Sequence, residues 1–171
     1  MARLCEKISA LDNFDLLLEA MQPYIDILET TERTKIGFLG RKNRDGTIEY
    51  GDFGRCKPLP HEDWVIWRDN IDKDFILGYT EEYKKYNFAR IRLIKMIPKI
   101  KHYTWHTDPS LRLHIPLITN PNALMYFRKH KEILSFNLTA GNLWLTDTTK
   151  EHTAINHGDT NRYHIVYEFF T

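Results

Sequence analysis

The chain has 171 residues, 42% hydrophobic and 27% charged, with a formal net charge of +1. That length supports one domain with a single sizeable core, and the near-neutral balance leaves no electrostatic footprint for non-specific nucleic-acid binding. Two cysteines, Cys5 and Cys56, without a CxxC, exclude a disulfide framework and a zinc finger and fit a reducing, cytoplasmic setting. The opening stretch MARLCEKISALDNF has no signal-peptide core. No apolar run reaches the roughly 20 residues of a membrane helix. A soluble protein without a membrane or nucleic-acid partner is expected.

In chain order, the spacing of Phe14, Leu17, Leu18, Met21, Ile25 and Leu28 predicts a helix, which Pro23 should kink or divide. TKIGFLGRKNRDGTIEYGDFG reads as strand, turn, strand, with Asp45-Gly46 at the turn. The segment from Pro58 to Asp74, with its Trp64/Trp67 and Val65/Ile66 pairs, predicts a packed loop or short helix. From Phe88 onward the texture is that of strands: FARIRLIKMI, RLHIPLI, ALMYF, ILSFNL, LWLTD, HTAIN and RYHIVYEFF, each bounded by Gly, Pro, Asn or Asp. Short strands at this spacing predict a sandwich or barrel closed from two sheets. The expected organisation is one domain over 1–171, with a helical and hairpin portion (1–87) supporting a β core (88–171). Alternation in the last strand sets Tyr163, Ile165, Tyr167 and Phe169 on an apolar face that could receive the helix, and Arg162, His164, Val166 and Glu168 on the other.

Chemistry concentrates in WHTDPSLRLHIPL. His106 and Asp108 are two apart in extended chain and so share a side, where an imidazole and a carboxylate can hold one metal ion. His152, from a distant strand, would complete a face of two His and one carboxylate, which leaves about half of an octahedral shell open. His-x-Asp alone is equally a hydrogen-bonded turn pair. Arg162 stands ten residues after His152, beyond a tight turn in which Gly158 is free to take positive φ. The spacing predicts that His152 and Arg162 lie on adjacent antiparallel strands. An inward Arg is costly without an anion, and its planar fork suits a carboxylate; a surface ion pair is the alternative. Arg112 and His114 are also two apart and share a face, opposite Leu111, Leu113 and Ile115.

HTDPSLRLHIPL, AGNLWLTD and EHTAINHGDTNRYHIVYEF together resemble the 2-oxoglutarate- and Fe(II)-dependent oxygenases. Within these they are most similar to the aspartyl/asparaginyl β-hydroxylase superfamily, which includes proline 3-hydroxylases. The resemblance covers about Arg90 to Phe170. It implies a double-stranded β-helix, or jelly roll, with the N-terminal helices packed outside. It implies Fe(II) at His106, Asp108 and His152, the distal carboxylate of 2-oxoglutarate at Arg162, and Arg112 and His114 assisting the cosubstrate. The activity implied is hydroxylation of an amino acid, free or within a short peptide, proline or Asp/Asn favoured, with release of succinate and CO2. Asn156, Trp144 and Tyr103 are candidates to orient the ligand histidines. Arg90 and Arg92 either line the same concave surface, where they could hold a substrate carboxylate, or lie on a solvated face. The rival reading is a cupin-type metal protein, isomerase or non-catalytic, which has no need of Arg162.

Overall fold

Where apolar and polar residues alternate, the chain is extended; where apolar residues recur every three to four positions, it is helical. The structure, a computed structural model, describes residues 4–52, 63–99 and 104–170. It runs β1 (Cys5–Ala10), α1 (Phe14–Thr30), β2 (Lys35–Gly37), β3 (Leu39–Lys42), β4 (Ile48–Glu49), β5 (Ile66–Trp67), α2 (Lys73–Gly78), β6 (Asn87–Met96), β7 (Leu111–Ile118), β8 (Ala123–Lys129), β9 (Glu132–Asn137), β10 (Asn142–Thr146), β11 (His152–Asn156) and β12 (Arg162–Phe170).

The strands form a large, six-stranded sheet in the order β1-β10-β7-β12-β6-β2 and a small, three-stranded sheet β11-β8-β9, with a further β4-β3-β5 group beside them. All pairings are antiparallel. The non-consecutive order, with β12 between β6 and β7, is that of a jelly roll. Two elements of the first half, β1 and β2, close the edges of the large sheet.

Period-two alternation divides the large sheet into two faces of opposite character. On one, Ile91, Leu93, Leu113, Ile115, Leu117, Tyr163, Ile165, Tyr167 and Phe169 form a single apolar cluster with Leu17, Met21, Ile25 and Leu28 of α1. Each fully buried Leu or Ile contributes about 1.5–3 kcal/mol. The other face carries Arg90, Arg92, His114, Arg162, His164 and Glu168, all buried. It is closed by the small sheet, whose Met125 and Phe127 pack with Trp144 of β10. A polar lining between two sheets is expensive unless it serves a purpose.

Three local expectations are corrected. Pro23 neither ends nor divides α1, which continues from Phe14 to Thr30. Pro23 and Glu19 are both exposed, so the carbonyl that loses its partner faces water. His152 and Arg162 are not on paired strands: β11 belongs to the small sheet and β12 to the large one. Gly158 is not among the positive-φ residues. Its requirement is space, since a Cβ there would sit 2.2 Å from Asn120 Oδ1. The Asp45-Gly46 turn is as read, with Gly46 at φ 88°. Part of the segment from Pro58 to Asp74 lies outside the described residues; its remainder supplies β5 and the start of α2.

Candidate metal centre and anion pocket

The metal candidates come together through backbone pairing. His106 and His152 form an antiparallel bridge, His106 N donating to His152 O (3.0 Å) and His152 N to His106 O (2.9 Å). Asp108 N donates to Thr148 O at 2.8 Å, which anchors the third residue on the loop leading to β11. Phe127, opposite His152 in the β8–β11 register, packs its ring 5.8 Å from the imidazole.

One side-chain atom from each of His106, Asp108 and His152 lies within 4.8 Å of the others. Asp108 Oδ2 is 3.3 Å from His152 Nε2 and 3.8 Å from His106 Nε2. The opposite ring nitrogens face backbone carbonyls, His106 Nδ1 to Thr104 O at 2.6 Å and His152 Nδ1 to Lys150 O at 2.9 Å. A carbonyl only accepts, so each Nδ1 carries the proton and, in the neutral ring, each Nε2 presents a bare lone pair. Two such nitrogens and a carboxylate oxygen therefore converge. A cation placed between them would meet all three donors at once, and the donor set suits a divalent ion such as Fe(II). The carbonyls of Thr104 and Lys150 do the orienting expected of Asn156 and Trp144. Asn156 instead donates to Met96 O (3.0 Å) and Thr160 O (2.9 Å), and Trp144 to Thr139 O (3.2 Å). Tyr103 lies outside the described residues.

Asp108 is tied into the large sheet. Arg112 Nη1 reaches Asp108 Oδ2 at 2.8 Å, and Arg112 Nη2 reaches Glu168 Oε1 at 2.9 Å. Burial alone would raise the Asp108 carboxyl, but contact with His152 and the charge of Arg112 outweigh it and hold it below the ordinary value. Glu168 is fully buried and also receives Arg90 (3.2 Å) and Arg92 (2.8 Å). Three guanidiniums thus share one carboxylate, which explains how Arg90 and Arg92 come to be buried rather than solvated. Arg90 adopts φ 47°, beside a register irregularity between β6 and β12. For a non-glycine residue that costs of order 1–2 kcal/mol. Glu168 is the buried charge that sequence reasoning passed over. Its signal was an acid among apolar residues on the same face as Arg162.

The structure places Arg162 on the same buried face, 7% exposed. Between it and the metal candidates stand two imidazoles, His114 and His164, with ring centroids 5.8 Å apart at 81°. Both are driven well below the usual histidine value, by burial first; the charges of Arg112, Arg162 and Arg92 add to this at His114, and that of Arg162 at His164. None of their four ring nitrogens has a hydrogen-bond partner among the described residues. Leaving a buried polar group unmet costs about 1–3 kcal/mol. A cavity of about 430 Å³ between Leu39, Trp67, Tyr86, Phe88 and Phe170 contains none of these residues.

A jelly roll with a His-Asp-His cluster at one end of its interior and buried arginines beyond it is the architecture of a 2-oxoglutarate/Fe(II)-dependent oxygenase. Comparison with known proteins gives the family. The profile described as aspartyl/asparaginyl beta-hydroxylase matches residues 77–171, more than half of the chain. The protein belongs to that family and is a hydroxylase. Similar solved structures include a Pseudomonas putida prolyl-4-hydroxylase (12% identity, TM-score 0.60, covering 97% of this chain and 91% of that one). Another is a viral collagen prolyl hydroxylase from Paramecium bursaria Chlorella virus-1 (12%, 0.58, 98% and 89%). A third is a Trichoplax adhaerens prolyl hydroxylase in complex with a peptide fragment of the hypoxia inducible factor oxygen degradation domain (9%, 0.59, 98% and 83%). At these identities the likeness is one of fold. No curated protein matches by sequence. Among the described residues no helix is long and apolar enough to cross a membrane.

Proposed function

We propose that this single domain hydroxylates an amino acid, free or peptidyl, using Fe(II) held by His106, Asp108 and His152 and 2-oxoglutarate whose distal carboxylate is received by Arg162. Proline and Asp or Asn are the favoured targets, and succinate and CO2 are the co-products. The observation that carries the reading is the convergence of His106 Nε2, His152 Nε2 and Asp108 Oδ2, with each imidazole held from behind by a backbone carbonyl and the carboxylate held by Arg112. When bound, Fe(II) with 2-oxoglutarate and oxygen supplies the oxidising power for an unactivated C–H bond.

The chain's own residues supply position and shielding. Three ligands on one side leave the opposite side open for cosubstrate and oxygen. His152 is nearly buried whereas the His106 side chain is 36% exposed, so solvent and substrate approach past His106. The Arg112–Glu168 pair keeps the Asp108 carboxylate from swinging away. Arg90 and Arg92, held by Glu168, put positive charge beside the centre, which favours a substrate that carries a carboxylate. A screen of free amino acids and short peptides for stimulated conversion of 2-oxoglutarate to succinate tests this. Stimulation by proline or an Asp- or Asn-containing peptide supports the reading. No succinate from any of them in the Fe(II)-loaded protein refutes it.

A further inference from the structure

Two Arg-x-His triplets face each other in the interior. Arg112-Leu113-His114 lies on β7 and Arg162-Tyr163-His164 on β12, strands paired antiparallel with His114 opposite Val166 and His164 opposite Pro116. In each triplet the middle residue enters the apolar cluster on the far side of the sheet, so the Arg and the His project together into the polar interior. His164 is 1% exposed and His114 7%. The rings meet edge to face rather than nitrogen to nitrogen, and neither ring has a hydrogen bond to any described residue. The fold gains nothing from an imidazole at 164 that a leucine would not give. An imidazole N–H beside a guanidinium does make sense as part of an anion receptor. A carboxylate offers about four lone-pair sites and a guanidinium fork occupies two. Neutral rings are the right donors to fill the others, because a second and third cation there would repel Arg162.

Building on the function proposed above, we infer that His164 is a cosubstrate-binding residue, donating a ring N–H to the 2-oxoglutarate carboxylate that Arg162 grips, with His114 beside it. His164 then sets affinity for the dicarboxylate without touching the metal.

The test is calorimetric titration of 2-oxoglutarate into Mn(II)-loaded protein, with the Mn(II) affinity and the melting temperature of the metal-free protein measured in parallel. For His164→Leu the affinity for 2-oxoglutarate should fall about tenfold, equivalent to about 1.4 kcal/mol, with Mn(II) affinity unchanged. The metal-free melting temperature should rise by about 2–4 °C, because an unmet buried polar group has been removed. His164→Gln, which keeps an N–H, should recover part of the lost affinity. Unchanged 2-oxoglutarate affinity in His164→Leu overturns the inference, as does a parallel loss of Mn(II) affinity or a lower melting temperature, either of which marks a structural role. Should the wild-type protein bind Mn(II) but take up no 2-oxoglutarate, the proposed function fails and this inference with it.

Discussion

The metal site and the polar lining of the large sheet are built on opposite principles. At the metal end each side chain is oriented by its immediate neighbours: Thr104 and Lys150 carbonyls stand two residues from the histidines they hold. Along that lining the groups come from β6, β7 and β12, and their mutual placement depends on long-range strand pairing. The first is locally determined and satisfied except toward the ion. The second carries excess positive charge around Glu168 and two neutral rings with unmet nitrogens. Removing a group at the metal end should therefore cost function with little cost in stability. Along the lining the consequences divide between the two.

The largest effect is expected for Asp108→Ala. Fe(II) affinity should fall by at least about a hundredfold and succinate formation should cease, while the metal-free protein still folds with only a modestly lower melting temperature, since Arg112 loses Asp108 but keeps Glu168. Metal titration and thermal denaturation check both halves. Glu168→Gln should do the reverse. It leaves three buried guanidiniums without their shared anion and should destabilise the fold by about 3–5 kcal/mol in urea denaturation. If it melted like the wild type, the three guanidiniums would not depend on Glu168 for their burial. Arg162→Ala should raise the 2-oxoglutarate requirement at least about tenfold, as loss of one partner of a buried charged contact costs about 2–5 kcal/mol. Its metal affinity should not change.

The smallest expected effect concerns acid. His114 and His164 are both held below the ordinary histidine value, so near pH 6.5 the unfolded chain takes up protons that the folded one refuses. Their neutrality costs nothing above about pH 6.5. Below it, each ring lowers stability by up to about 1.4 kcal/mol per pH unit. His164→Leu should remove its share of that slope, measured from urea midpoints between about pH 7 and pH 5. An unaltered slope would mean that His164 protonates in the folded state.

Much of this was legible from sequence because both signals are local. Alternation over two residues identified the strands from β6 to β12, and the same rule put His106 with Asp108 and Arg162 with His164. What was missed depends on partners far along the chain. β1 has too few apolar positions to announce itself, with Cys5, Glu6 and Ile8 partly sheltered and Lys7, Ser9 and Ala10 exposed; its strand exists because β10 offers an edge. The seat of His152 on the small sheet follows from its pairing with β8, which no spacing rule between residues 152 and 162 reveals. Glu168 reads as one acid in an apolar strand until β6 and β7 bring Arg90, Arg92 and Arg112 around it. Pro23 misled because the cost of a helical proline depends on whether the orphaned carbonyl is wet.

Hydroxylation by this protein depends on His106, Asp108 and His152 forming one cation site. Anaerobic titration of Fe(II) into metal-free protein tests it most directly. One equivalent should bind per chain, with none measurable under the same conditions in His152→Ala. Absence of binding in the wild-type protein, or an equal stoichiometry in both, would contradict it.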